Sequence, residues 1–295
     1  MTIIAAFPYG KRDRSALHLA ATLARSNGEA VRIVSIVPAQ SRSFIASGSD
    51  LQLAAWSRER GRKAVAEAER AAADICPDVE TEAVAVQARS RGKGLIAEAV
   101  DHDASMIVLG SGTEGARGRI RVSGTSDRLL HSSPVPVALA PKGYQSAPGS
   151  VIGRVTCSFR GDERSQRVLA QTAELSESVE ARLRVATFGV SGRTVEPVWV
   201  EENSRRADYV RRVKAAQAAA IEGVDEIDIG EAGTPVEEAV GIGKDWKSAL
   251  SALDWGAGEV LVLGSSADGP KSRVFLGSNA AKIIRHAPVP VVVVP

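Results

Sequence analysis

The sequence predicts two α/β domains of the same kind, each a doubly wound parallel sheet of five strands, arranged as a tandem duplication. The first observation is length, since 295 residues correspond to about two domains of ordinary size. The second is a repeat: Gly110 and Gly264 are 154 residues apart, and so are Pro134 and Pro288. A strand, a glycine turn and a Pro-Val-Pro segment recur in the same order, which indicates a duplicated domain. The third is the alternation of strand and helix patterns, which implies right-handed crossovers and a sheet covered on both faces.

The first half begins with Thr2–Phe7, a short apolar run that is typical of a strand buried on both faces. Ser15 has a side chain suited to cap the helix that follows it. Residues 40–50 are polar and Ser-rich, which predicts a loop. The predicted elements are strands at 2–7, 31–37, 81–86, 106–109 and 135–140, with helices at 15–26, 51–75, 92–100 and 125–131.

The second half repeats this order after a short connection. Residues 144–150 are rich in Gly, Pro and Ser, which is typical of a linker. The predicted domains are therefore 1–143 and 151–295. The predicted elements of the second half are strands at 154–159, 182–188, 236–243, 260–263 and 289–294, with helices at 164–175, 201–221, 247–253 and 279–285.

Each half closes with a strand that its prolines mark as an edge. Pro134 and Pro136, like Pro288 and Pro290, lack backbone donors and suit the start or the edge of a strand. The run Val291–Val294 is strongly apolar, and an exposed apolar edge needs a cover. We therefore expect self-association through the closing strands, so that the two halves pack as a pseudo-dimer. The alternative is that helices of the same domain bury each edge.

Composition and charge argue against several classes of protein. A net charge of +2 is too balanced to favour nucleic acid or an anionic membrane as a partner. No apolar run approaches the roughly 20 residues needed to span a bilayer, and Met1–Phe7 is too short for a signal peptide. Cys76 and Cys157 have no motif spacing and are expected to be reduced thiols packed as small apolar groups. We therefore expect a cytoplasmic protein.

No residue pattern nominates a metal site or a catalytic group. The four histidines lack ligand spacing with a cysteine or a carboxylate, so no metal site is predicted. The sequence has neither a P-loop nor a Gly-x-Ser-x-Gly motif, so we expect no enzyme activity. The four tryptophans are expected to be packing residues. Arg58–Lys63 and Arg205–Lys214 are expected to be solvated helix faces, with a partner surface as the alternative.

The two glycine turns are the candidate binding sites. Each follows a strand and leads into a helix, and ligands of open parallel sheets bind beyond the carboxyl ends of the strands. A helix N-terminus favours an anion, and glycine lets the backbone approach a phosphate closely. The alternative is that glycine only makes a tight turn and Ser or Thr only caps a helix. The candidate site residues are Leu109, Gly110, Gly112, Gly124, Thr125 and Ser126 in the first half and Leu263, Gly264, Ser266, Ala267, Gly277, Ser278 and Asn279 in the second. Basic residues in the two loops could neutralise phosphate charge, namely Arg117, Arg119, Arg121, Lys271 and Arg273.

With these turns the chain resembles the tandem universal stress proteins over both halves. The family pattern is a strand, Gly-x-x-Gly, nine residues, Gly-Ser/Thr, a helix and an apolar closing strand. Residues 264–267 read Gly-Ser-Ser-Ala and are followed after nine residues by Gly-Ser at 277–278, so only Ala departs from the pattern. Residues 110–113 read Gly-Ser-Gly-Thr and are followed after ten residues by Gly-Thr at 124–125. The resemblance implies a Rossmann-like fold of the adenine nucleotide alpha hydrolase-like type, and ATP or another adenine nucleotide as the ligand.

Members that bind ATP also carry an Asp just after the first strand, against the adenine or ribose. Here Phe-Pro-Tyr at 7–9 and Phe-Arg-Gly at 159–161 stand at that point. Asp13 and Asp162 fall later and are expected to cap helices. The resemblance predicts a stress-response binding or signalling module with a nucleotide mainly at the second turn. The alternatives are an interaction protein of the same fold that binds no nucleotide and, from another class, a slow ATP hydrolase.

Overall fold

The computed structural model describes residues 1–39, 48–190, 199–223, 235–265, 274 and 276–295, and it describes the backbone alone at 48–51 and 199–205. The chain divides into two compact units. The first comprises Met1–Val151 with Ser265–Leu276 and Pro295, and the second comprises Ile152–Gly264 and Gly277–Val294.

Strands alternate with helices along the first unit. In chain order they are β1 (Thr2–Ala6), α1 (Ser15–Asn27), β2 (Ala30–Pro38), α2 (Gly48–Ile75), β3 (Thr81–Ala88), α3 (Arg91–Asp101), β4 (Ala104–Gly110), α4 (Gly124–Leu129) and β5 (Val137–Ala140). The strands are parallel and lie in the order β3-β2-β1-β4-β5. The order changes direction between β1 and β4, which places a crevice at the carboxyl ends of these two strands.

The second unit repeats this arrangement. Its elements are β6 (Arg154–Ser158), α5 (Glu163–Ser178), β7 (Arg182–Val190), α6 (Trp199–Glu222), β8 (Glu237–Gly243), α7 (Trp246–Leu250), β9 (Glu259–Gly264), α8 (Ser278–His286) and β10 (Val291–Val294). The strands are again parallel, in the order β10-β9-β6-β7-β8. The change of direction falls between β6 and β9.

The predicted fold is confirmed in both units, since each contains a doubly wound parallel sheet of five strands. All positions of β5 and β10 are buried. These strands begin at Val137 and Val291, slightly later than predicted, because the prolines before them lack the N–H that a sheet needs. The exact domain limits and the association of the closing strands stay predictions.

Two helix starts differ from the sequence prediction. The helix α2 begins at Gly48, inside the predicted loop 40–50, whose residues 40–47 lie outside the described residues. Its first residues, Gly-Ser-Asp, resemble a loop in composition, but Ser and Asp also suit the first turn of a helix. The helix α1 begins at Ser15, but its N-cap is Arg14 rather than Ser15. The N–H of Ser15 instead donates to Oδ1 of Asp13 at 2.9 Å.

A buried ion pair lies near the amino-terminal ends of the strands in the second sheet. The side chains of Arg184 in β7 and Glu259 in β9 form a salt bridge and are 1% and 0% exposed. Arg184 also donates from Nη1 to the carbonyl of Asp254 at 2.8 Å and from Nε to the hydroxyl of Thr156 at 3.1 Å. Its guanidinium lies 4.9 Å from the ring centroid of Trp255. The network therefore ties three neighbouring strands to the turn before β9.

Both cysteines are buried, and we expect both to be unreactive in the folded protein. Burial raises the pKa of the Cys157 thiol to about 12, and burial also raises the pKa of Cys76. Because the thiolate is the reactive form, a soluble disulfide reagent at about pH 8 should modify neither residue until the protein unfolds. Counting modified thiols with and without urea checks this, and a Cys76→Ser variant isolates Cys157. Rapid labelling of that variant in its native state would contradict the prediction.

Candidate functional site

Both glycine turns start at the carboxyl end of a strand beside the change in strand order. Gly110 ends β4, which pairs with β1, and Gly264 ends β9, which pairs with β6. This is where ligands bind in open α/β sheets. Leu109 and Leu263, the residues before these glycines, are buried within the strands. The helices that follow the two turns differ in how their first residues are capped.

The first turn is held together by its own hydrogen bonds. The N–H of Gly112 donates to the carbonyl of Arg121 at 2.8 Å, and the N–H of Arg121 donates to the hydroxyl of Ser111 at 2.8 Å. A Cβ on Gly112 would lie 3.1 Å from the Arg121 carbonyl, so glycine permits this close approach. Arg121, assigned to phosphate charge by the sequence analysis, lies 3.1 Å from Glu114 in an ion pair. Its charge is therefore balanced within the turn.

The helix after the first turn is capped by its own side chains. The hydroxyl of Ser123, the N-cap of α4, accepts from the N–H of Ser126 at 3.2 Å, and the hydroxyl of Ser126 accepts from the N–H of Ser123 at 2.6 Å. This is a capping box, and Ser126 is buried within it. Of the residues predicted at this helix start, Gly124 is exposed and Thr125 is half-buried.

The helix after the second turn begins without a side-chain cap. Gly277 is the N-cap of α8, with φ −77° and ψ 162°, and no side chain in the described part of the chain caps it. Ser278 and Asn279, predicted as ligand donors, are exposed. A helix start of this kind, with no cap from the described side chains, favours an anion through its first N–H groups and the positive end of the helix dipole. Four other residues predicted for this site lie outside the described residues: Ser266, Ala267, Lys271 and Arg273.

The glycine at the end of β9 has a packing role. A Cβ on Gly264 would overlap Cγ2 of Val168 in α5. At the matching point of the first half, a Cβ on Gly110 would lie 3.8 Å from the backbone nitrogen of Ala16, an ordinary contact. Val168 and Ala16 are 152 residues apart, so the same point of the repeat carries a larger side chain in the second half. The contact with Val168 is thus one reason for a glycine at residue 264. The phosphate contact predicted for Gly264 stays a prediction.

Two buried aromatic rings stand at the two points where the family resemblance led us to look for an acidic residue. Phe7 and Phe159 directly follow β1 and β6 and are buried. The guanidinium of Arg14 lies 4.3 Å from the ring centroid of Phe7. The carbonyl oxygens of the two residues accept hydrogen bonds from Ser35 at 2.7 Å and from Thr187 at 2.9 Å. These rings belong to the core, so neither supplies a polar group to a nucleoside.

Asp162 caps α5, as predicted. Its Oδ1 accepts from the N–H of Ser165 at 2.9 Å. Partial burial raises the pKa of Asp162, but the hydrogen bonds from Ser165 and the charges of Arg160 and Arg164 outweigh it and hold the pKa below its usual value. Asp13 lies one residue before the N-cap of α1 and binds the Ser15 N–H from there. Both carboxylates are therefore engaged at helix starts.

The described ranges contain neither a metal-binding cluster nor a membrane-spanning helix. Among those residues no three His, Cys, Asp or Glu side chains come together as a group that could hold a metal ion. None of the helices described there is both long enough and apolar enough to span a membrane.

A cation contacts two aromatic rings in the first unit, an arrangement that was not predicted from the sequence. The guanidinium of Arg60 in α2 lies 4.9 Å from the ring centroid of Tyr9 and 5.1 Å from that of Trp56. Trp56 is 49% exposed, so its prediction as a packing residue is wrong. The spacing of Trp56 and Arg60, four residues apart on a helix, was a usable signal. Tyr9 lies far away in sequence and had no such signal.

Comparison with known proteins identifies the same family in both halves. The model of the universal stress protein family matches residues 2–141 and 153–295. A universal stress protein of Mycobacterium tuberculosis (strain H37Rv) is 35% identical over 296 residues, covering 100% of this chain and 100% of that protein. One of Thermus aquaticus is 27% identical over 143 residues, which cover 48% of this chain and 96% of that protein.

Solved structures agree on the fold. A universal stress protein from Archaeoglobus fulgidus DSM 4304 has a TM-score of 0.54 at 17% identity, covering 99% of this chain and 97% of that one. A protein from Pseudomonas aeruginosa UCBPP-PA14 has a TM-score of 0.57 at 15% identity, covering 99% and 92%. At these identities the likeness concerns the fold alone.

Proposed function

This chain belongs to the universal stress protein family over both halves, and on that premise we propose that it is a non-enzymatic, cytoplasmic stress-response module that binds an adenine nucleotide. The nucleotide phosphates would lie mainly at the second glycine turn, against the start of α8. Gly277, Ser278 and Asn279 would donate to them, and the first turn would contribute weakly or not at all.

The observation that carries this proposal is the difference between the two helix starts. Ser123 and Ser126 already satisfy the start of α4, whereas α8 has no side-chain cap in the described part of the chain. An anion that binds α8 replaces water at unpaired N–H groups and gains from the dipole. An anion at α4 would compete with the side chains of Ser123 and Ser126, which already form hydrogen bonds with the backbone at the start of that helix.

The buried phenylalanines limit what the site recognises. Because Phe159 replaces the acidic residue that would contact the nucleoside, affinity should come mainly from the phosphates. We therefore propose weak discrimination between ATP and GTP. The same feature favours the second candidate, an interaction protein of this fold that binds no nucleotide. A slow ATP hydrolase is the least favoured function, because the sequence nominates no general base.

Isothermal titration of the whole chain with ATP, AMP and GTP, with and without magnesium, tests the proposal. An Asn279→Asp variant places a negative charge in the first turn of α8. We expect it to weaken ATP binding by at least about tenfold, or about 1.4 kcal/mol. The same charge stabilises a helix start by about 0.3–1 kcal/mol, so loss of binding could not be ascribed to unfolding.

The matched control is Thr125→Asp at the start of α4. It should leave ATP affinity within about twofold of the wild type, which is less than 0.5 kcal/mol. Loss of binding in this variant alone would place the site in the first half. No heat from any nucleotide with the wild-type chain would favour the interaction protein, and phosphate release lost in Asn279→Asp would favour the hydrolase.

A further inference from the structure

One side of α2 presents an exposed stripe of apolar and basic side chains. Leu53, Trp56, Arg60 and Lys63 are spaced by three, four and three residues, which places them on one side of the helix. Leu53 is 36% exposed, Trp56 is 49% exposed, and Lys63 is also exposed. The side of the helix that packs on β2 and β3 carries the buried residues Ala54, Ser57, Gly61, Ala64 and Ala68.

The loop after β1 is fixed along this stripe. Glu67 of α2 forms an ion pair with Arg14 and accepts from the N–H of Gly10 at 3.4 Å. Tyr9 lies under the guanidinium of Arg60, which Trp56 contacts as well. We call the surface formed by Tyr9, Leu53, Trp56, Arg60 and Lys63 the α2 flank.

The charges around the α2 flank are mainly positive. Lys11 and Arg12 of the same loop are exposed beside it. Of the nearby carboxylates on the helix, Glu59 is paired with Arg62 and Lys63, and Glu67 is paired with Arg14. The surface therefore combines an apolar centre with a basic rim, and among the side chains described on α2 both of these carboxylates are already paired with residues other than Arg60.

We propose that the α2 flank is a docking surface for an acidic protein segment that carries an aromatic or aliphatic anchor. The anchor packs on Leu53 and Trp56, and flanking carboxylates pair with Arg60 and the basic residues around it. Trp, Tyr and Arg are the residue types that most often dominate binding energy at protein interfaces. Because two rings already hold the Arg60 guanidinium, its side chain loses little further freedom when a carboxylate binds.

The charge pattern favours a protein segment over a nucleic acid. A strand of nucleic acid is held by a continuous positive groove that follows its phosphates. On α2, Glu59 lies four residues before Lys63 and Glu67 four residues after it, so the basic residues of the helix do not form a continuous positive groove. An acidic segment with one apolar anchor needs only a short basic rim around an apolar centre.

The second half provides a built-in control surface. Arg212 of α6 is 152 residues from Arg60, and Asp208 is 152 residues from Trp56. Arg212 is exposed, and Asp208 pairs with Arg211. The face of α6 is therefore basic without an exposed aromatic ring at the matching place.

Fluorescence anisotropy of the full chain with a labelled synthetic peptide tests the proposal. The probe is a peptide of glutamates around a central Phe-Leu pair, and a peptide of glutamates alone is its reference. We expect the anchored peptide to bind and to bind at least about fivefold tighter than its reference. Trp56→Ala and Arg60→Glu should each weaken binding by about tenfold, whereas Arg212→Glu should change it less than about twofold.

Several results would overturn the proposal. The proposal fails if the anchored peptide does not bind the wild-type chain or if both peptides bind equally well. It also fails if Arg60→Glu and Arg212→Glu lose the same affinity for the anchored peptide. Tighter binding of a thymidine oligonucleotide or of vesicles containing phosphatidylserine, lost in Trp56→Ala, would assign the surface to another partner. Thermal melting of each variant checks folding, and the exposure of Trp56 leads us to expect little change. Adenine nucleotide titrations of the same variants should be unaffected.

Discussion

Replacing Arg184 with methionine should lower the free energy of unfolding by about 3–5 kcal/mol, the usual cost of removing one partner from a buried ion pair. Glu259 is fully buried and would keep one ion pair, with Arg154 at 2.7 Å, in place of two. The Asp254 carbonyl and the Thr156 hydroxyl would each lose a donor as well. Methionine preserves much of the side-chain volume, so the loss would report charge and hydrogen bonding rather than a cavity.

Urea unfolding of the wild type, Arg184→Met and Arg32→Met measures this effect. Arg32 stands at the same point of the repeat, 152 residues earlier. It pairs with Glu98 at 2.9 Å and with Glu82, which is largely exposed, so water can replace part of what the guanidinium gives. We expect Arg32→Met to cost about 1–2 kcal/mol less than Arg184→Met does.

A double variant shows whether the buried carboxylate is the cause. Arg184→Met with Glu259→Met should recover part of the stability lost in Arg184→Met alone, because it also removes the buried carboxylate, which only Arg154 would otherwise neutralise. Arg184→Met and Arg32→Met could instead lower the free energy of unfolding equally, or the double variant could recover none of it. Either result would show that burial of the Arg184–Glu259 pair does not determine its contribution to stability.

Adding a methyl group at Gly264 should destabilise the protein by about 1–3 kcal/mol, the usual cost of overpacking a filled interior. The new Cβ would overlap Cγ2 of Val168, which is part of a helix and restricted about χ1. The helix α5 would have to move away from the end of β9. Gly110→Ala in the first half should cost less than about 1 kcal/mol, since its Cβ would meet Ala16 at an ordinary distance.

Thermal or urea unfolding of Gly264→Ala, Val168→Ala, their double variant and Gly110→Ala checks this explanation. Gly264→Ala should be destabilised, and Gly264→Ala with Val168→Ala should be less so than the sum of its single changes, since Ala16 already fills that place beside Gly110. Strict additivity of the two changes would show that the Val168 contact is not responsible. A large loss in Gly110→Ala would show that glycine is needed at both strand ends for a reason other than side-chain packing.

The sequence predicted those features that depend on local pattern. Apolar runs and helical spacing located the strands and helices, because both signals come from residues close in the chain. The end of β9 and the start of α8 were predictable for the same reason, and so was the cap at Asp162. The boundary of α2 was not, since Gly, Ser and Asp suit a loop and a helix start equally.

Features made by distant residues were beyond the sequence. Arg184 and Glu259 are 75 residues apart, and a basic residue in a strand pattern suggests exposure rather than full burial. Tyr9 and Arg60 meet only because the loop after β1 lies along α2 in the fold. The capping of α4 by Ser123 was also missed, because the analysis assigned the hydroxyl of Ser126 to a ligand rather than to the helix.

The buried rings at Phe7 and Phe159 bear on how these domains could change over evolutionary time. A change of Phe159 to Asp would bury a carboxylate at a position that is now part of the apolar core, at a cost of several kcal/mol. The intermediate would be selected against before any new specificity could appear. An acidic residue at 159 would require its neighbours to become polar first, whereas at residue 7 the guanidinium of Arg14 already lies 4.3 Å from the ring that it would replace, so the second copy would regain a carboxylate less readily than the first.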